Sequence, residues 1–154
     1  KLNASFEGNT SDHWTRNGGQ ATLASFGADN VQDIPEEYLI WIRKLPFYFL
    51  TNQYILVHAG LNFKEKSPLS ELKDMLWIRD WYDDIDKEWL QGATIIHGHT
   101  IMRKAKIEEM LRDIKNKSVL DIDNGCIFKE STDKGRLCAF DMTNQQLYFQ
   151  ENID

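Results

Sequence analysis

The sequence predicts a mixed α/β fold. Apolar residues recur at helical spacing in the first half of the chain. Short aliphatic and aromatic runs bounded by turn residues dominate the second half. With 154 residues, 42% of them hydrophobic and 27% charged, the chain has the size and composition of one globular domain.

Residues 1–13 are polar and Asn/Ser-rich and read as loop or frayed helix. Asn17-Gly18-Gly19 is a break, after which Gln20 to Phe26 forms a short helix ended by Gly27. The run Asp33-Ile34-Pro35-Glu36-Glu37 starts a second helix. Asp33 or Ile34 should lie at its cap, Pro35 in the first turn, and two acids at the positive end of the dipole. Tyr38, Leu39, Trp41, Ile42 and Leu45 supply its apolar face, and Pro46 closes it. Phe47–Leu50 and Tyr54–Val57 then read as a hairpin across Thr51-Asn52-Gln53. Residues 60–68 are loop, Leu69 to Trp77 is helical, and a short helix covers Asp84 to Leu90. Ala93 to Ile96 is a strand that runs into His97-Gly98-His99. Residues 100–117 look charged and mobile, Ser118 to Ile122 is a strand, and Leu137–Asp141 with Gln146–Phe149 form a last hairpin across Thr143-Asn144. This order suggests part of a β-sandwich with accompanying helices.

Charge and composition exclude several functions. Twenty-four acids against 18 bases give a formal charge of −6, which argues against gripping nucleic acid or an anionic membrane. No apolar run approaches the ~20 residues of a membrane helix. Lys1-Leu2-Asn3-Ala4-Ser5 has no apolar signal core. Cys126 and Cys138 lack a C-x-x-C spacing and are expected to be reduced core thiols in a cytoplasmic protein.

The chemistry gathers at strand ends. Ile55-Leu56-Val57 stops at His58-Ala59-Gly60, and Thr94-Ile95-Ile96 stops at His97-Gly98-His99-Thr100. A buried strand followed by His and Gly sets an imidazole on the rim of a sheet, where α/β folds bind ligands. The glycine permits a sharp turn and the close approach of a ligand. Neutral imidazole is a common transition-metal ligand. The alternative is two half-buried histidines hydrogen-bonded to backbone. Arg79, after Leu76-Trp77-Ile78, offers a planar fork that matches phosphate, stiffened by tryptophans on both sides. It could equally pair with Asp80, Asp83 or Asp84 on a solvated face.

In order along the chain stand W-x-x-N-G-G-x-x-T-L at Trp14 to Leu23, V-H-A-G at Val57 to Gly60, and L-W-I-R at Leu76 to Arg79. H-G-H-T at His97 to Thr100 and D-I-D-N-G at Asp121 to Gly125 follow. This succession resembles the bacterial and phage-type serine/threonine phosphoprotein phosphatases of the calcineurin-like metallophosphoesterase superfamily, from about residue 14 to 149. The resemblance implies a metallophosphoesterase-like β-sandwich flanked by helices. It implies metal ligation by His58 and His99, with His97 a neighbour, and phosphate binding by Arg79. Asp121 and Asp123 need no catalytic role, and Asp123-Asn124-Gly125 is a structural turn.

The family's G-D-x-H-G, G-D-x-x-D-R-G and G-N-H-D or G-N-H-E motifs are absent from residues 1–154. Gly8-Asn9-Thr10 lacks the histidine, and His13 is at the wrong spacing for the general acid. The resemblance therefore implies that residues 1–154 are the C-terminal portion of a single catalytic domain, with its N-terminal half as a partner. That half would bring the other ligands of two divalent metal ions, manganese or else iron or zinc. The implied activity of the complete protein is phosphomonoester hydrolysis on a phosphoprotein or small phosphoester, with residues 1–154 inactive alone. Alternatives are a symmetrical dinucleoside tetraphosphatase of the same superfamily and a degenerate, non-catalytic phosphatase domain.

Overall fold

The computed structural model describes residues 14–128 and 133–153. Residues 1–13, with Gly8-Asn9-Thr10 and His13, lie outside the described residues. The chain divides into two compact units, residues 1–46 and 47–154.

In the first unit a wide helical turn, Thr15–Gly19, kinks at Asn17 and Gly18, where the break was expected. It leads into α1, Gln20–Phe26, which ends as Gly27 takes the left-handed conformation (φ 62°). Amides of Gly27 and Ala28 donate to the carbonyls of Ala24 and Leu23. The start of α2, Glu36–Lys44, differs from expectation. Pro35 itself is the cap residue. Asp33 belongs to a preceding single turn, Val31–Asp33, where its Oδ2 accepts from the Asn30 amide at 2.9 Å. Glu36 and Glu37 occupy the first turn and Arg43 and Lys44 the last, both favourable to the helix dipole. Leu45 is extended, as a residue before proline prefers.

The second unit is built on a four-stranded mixed sheet in the order β1 (Tyr48–Leu50), β2 (Tyr54–Val57), β3 (Thr94–His97), β4 (Val119–Asp121). β1 and β2 form the expected antiparallel hairpin, with Phe49 opposite Leu56. β2, β3 and β4 are parallel, with Ile55, Ile95 and Val119 in register. Such strands are apolar throughout because both faces are covered, and so they carry no alternation. One face presents Ile55, Val57, Ile95, His97, Val119 and Asp121; the other presents Tyr54, Leu56, Ile96 and Leu120. The second face meets a separate hairpin, β5 (Arg136–Asp141) and β6 (Gln146–Glu151). Tyr54 stacks edge-on against Phe140 (5.9 Å) and donates its hydroxyl to the Met142 carbonyl. Asp141 Oδ1 fixes the hairpin turn by accepting from the Thr143 and Asn144 amides.

The crossover from β2 to β3 carries α3, Leu72–Trp77, and α4, Lys87–Leu90. Each is shorter than expected. Pro68–Ser70 forms a separate single turn before α3, and Asp86 caps α4 by accepting the Trp89 amide. Residues 100–117 are the clearest correction. They hold two helices, α5 (Lys104–Arg112) and α6 (Ile114–Lys117). Ile107, Met110 and Ile114 are buried at helical spacing in the main core, while the charges face water and pair along the helix, as Lys104 with Glu108 and Lys106 with Glu109. The density of charge obscured a thin apolar stripe. Among the described residues no helix is long and apolar enough to cross a membrane.

Candidate functional site

Because β2, β3 and β4 are parallel, their carboxyl ends share one rim, and three consecutive turns lie side by side there. His58 leaves β2, His97-Gly98-His99 leaves β3, and Asp123 follows β4. Backbone bonds join them. The Gly98 amide donates to the His58 carbonyl at 2.9 Å, and the Ile122 amide donates to the His97 carbonyl at 2.8 Å.

This brings the imidazoles of His58 and His99 together, with ring centroids 4.9 Å apart and planes inclined at 59°. A metal–imidazole bond is ~2.1 Å, so two rings with centres up to ~6 Å apart can reach one ion. Trp77, at the end of α3, stands edge-on to His99 at 5.7 Å. Arg79 turns toward the same rim. Its Nη1 donates to the His99 carbonyl and to Thr100 Oγ1, both at 3.4 Å. A cavity of about 410 Å³ opens beside the rim, lined by His58, His99, Asp123, Cys126 and Arg136 among others.

The two imidazoles suit a divalent transition metal, but they fill only part of a coordination sphere. Among the described residues there is no group of three or more His, Cys, Asp or Glu placed to hold a metal ion.

His97 faces the other way, into the core. Its Nδ1–H donates to the Gly98 carbonyl at 2.9 Å, which leaves Nε2 to accept from the Tyr82 hydroxyl at 2.9 Å. Asp121 lies 3.8 Å from His97 and has no solvent exposure. Burial pushes the Asp121 carboxyl up to about 7 and holds His97 down at about 4. The pair is therefore a contact without a charged imidazole near neutral pH. The Tyr82 hydroxyl is also raised, first by burial and then by Asp121. Sequence reasoning did not anticipate this Tyr82–His97–Asp121 network, since nothing in the spacing ties residue 82 to residues 97 and 121.

The glycines of both histidine motifs have unexpected neighbours. What approaches the backbone of Gly60 is the Trp81 indole, whose Nε1 donates to the Ala59 carbonyl at 3.2 Å. At Gly98 it is Asp123, whose Cβ would lie 3.3 Å from an added methyl group.

Asp123-Asn124-Gly125 is a turn, as expected: Asp123 Oδ1 accepts the Gly125 amide at 2.8 Å. Asn124 is buried, donating to the carbonyls of Met102 and Asp133 and accepting the Arg136 amide. Cys126 and Cys138 are both free thiols. Cys138 is in the core, and burial pushes its thiol up to about 12; Cys126 is only half-buried, short of the expected core position. Comparison with protein-family models, curated proteins and solved structures found no match.

Proposed function

We propose that this chain carries part of the catalytic site of a metal-dependent phosphomonoesterase of the protein serine/threonine phosphatase type. The observation that carries the reading is the pairing of His58 and His99 at the ends of adjacent parallel strands, with the Arg79 guanidinium beside them. The order of the motifs along the chain supports it as well. The α/β unit with a second sheet on one face is compatible with a metallophosphoesterase-like sandwich.

In this reading His58 and His99 are two ligands of one divalent ion, manganese, iron or zinc, and the remaining ligands and the general acid belong to segments outside residues 1–154. The chemistry such ions would supply, with His58 and His99 holding one of them, is acidification of a water and polarisation of phosphoryl oxygens. Arg79 neutralises equatorial oxygens as negative charge spreads over them. Its planar fork can release the two long bonds to His99 and Thr100 in exchange for phosphate oxygens at little cost. Trp77 limits the rotation of the His99 ring and screens it on one side.

The test is hydrolysis by the complete protein with added manganese, using a phosphopeptide and, separately, diadenosine tetraphosphate. Phosphopeptide turnover abolished by His58→Ala or His99→Ala is expected. Preference for the dinucleotide would reassign the substrate to the tetraphosphatase type, and turnover of neither would make the domain non-catalytic. Residues 1–154 alone should be inactive on both, because the remaining ligands and the general acid are not among them. Full activity from them would overturn the division of the site.

A further inference from the structure

We propose that Asp123 is the positioning residue for the second histidine of the pair, acting through the backbone of residue 99. The inference rests on the reading of His58 and His99 as a pair that works together. His99 sits in the left-handed region (φ 71°), a conformation that costs a residue with a Cβ free energy and needs to be held. On the amide side of the residue a carboxylate oxygen holds it. Asp123 Oδ2 accepts the His99 amide at 3.1 Å, while Oδ1 closes its own turn on the Gly125 amide.

Three features place that carboxylate. The Asp123 amide donates to Asp121 Oδ1 at 2.7 Å, its carbonyl accepts the Met102 amide at 2.8 Å, and residue 98 is a glycine, so Asp123 can come close. Because the Gly98 amide is bonded to His58, consecutive amides, 98 and 99, tie the β3 rim to both flanking turns. The backbone that carries the His99 ring is thereby fixed relative to His58.

The two oxygens do different work, which makes the identity of the side chain testable. Asparagine can keep only one acceptor. If it keeps the local turn to Gly125, it presents an NH₂ donor to the His99 amide, donor against donor. Serine can also close the local turn but has no second oxygen.

The experiment uses the full chain and the variants Asp123→Asn and Asp123→Ser. Zinc binding is measured by calorimetry with zinc alone, and the His58–His99 ring-proton NOE is recorded without metal. Core methyl resonances of Ile95 and Leu120 report the fold. The expected result is loss of the NOE and zinc affinity lower by about 10-fold, the low end for residues that orient a metal ligand, with core resonances unchanged. The NOE and affinity retained in a folded variant would overturn the proposal. Collapse of the core resonances in both variants would assign Asp123 to the turn alone, which also overturns it. His58→Ala tests the underlying reading separately. If it leaves zinc binding unchanged, the metal assignment fails, while the metal-free NOE still decides what Asp123 does.

Discussion

Gly60→Ala should be among the most damaging single-methyl changes in the second unit. Gly60 has φ 154°, outside the region open to L side chains, and an added Cβ would overlap Cε2 and Nε1 of Trp81. Trp81 is almost completely buried, packs on His97 at 5.1 Å and on Phe63 at 6.2 Å, and bonds the Ala59 carbonyl. Backbone strain contributes about 1–2 kcal/mol. Overpacking contributes about 1–3 kcal/mol. Losing the indole bond to a buried carbonyl adds about 1 kcal/mol. Together the loss is about 3–6 kcal/mol, a large share of the ~5–15 kcal/mol that holds a domain. In urea, with a slope of about 2 kcal/mol per molar, the midpoint should fall by about 2 M. Gly92→Ala is the control. Gly92 also has positive φ (89°), but nothing lies within 4 Å of an added Cβ, so only strain remains. Equal midpoints for the two variants, followed by circular dichroism, would refute the steric argument.

In the complete enzyme Arg79→Ala should slow turnover by about 10–1000-fold, ~1.4–4 kcal/mol of transition-state stabilisation; unchanged kinetics would make Arg79 a surface residue. Asp121 has a folded pKa raised to about 7, above its unfolded value of ~3.9, so its contribution to stability is full below the unfolded value and is lost as pH rises through about 7. Asp121→Asn should therefore flatten that loss, gaining on the wild type between about pH 4 and 8 in thermal melts; parallel curves would refute it. Ile107→Ala, in helix α5, should cost about 2–4 kcal/mol, whereas a change near zero would mean that α5 is not part of the core.

The sequence alone determined the strands and the places where they end. Tyr54–Val57 and Thr94–His97 are apolar runs halted by His and Gly, and that pattern is local, so it could be read directly. The turn at Asp123-Asn124-Gly125 and the cap at Gly27 are local in the same sense. It could not place the helices of residues 104–117, because their burial rests on a few apolar residues among many charges and depends on a sheet formed by distant strands. Nor could it decide what fills the space over each glycine. Trp81 over Gly60 and Asp123 beside Gly98 come from segments 21 and 25 residues away, the first from the crossover between β2 and β3 and the second from the turn after β4, which pairs parallel with β3. The division of labour between His97 and His99 is likewise tertiary. Two residues apart, one turns into the core toward Tyr82 and Asp121, and the other turns out beside His58, because His99 alone adopts the left-handed conformation that redirects the chain.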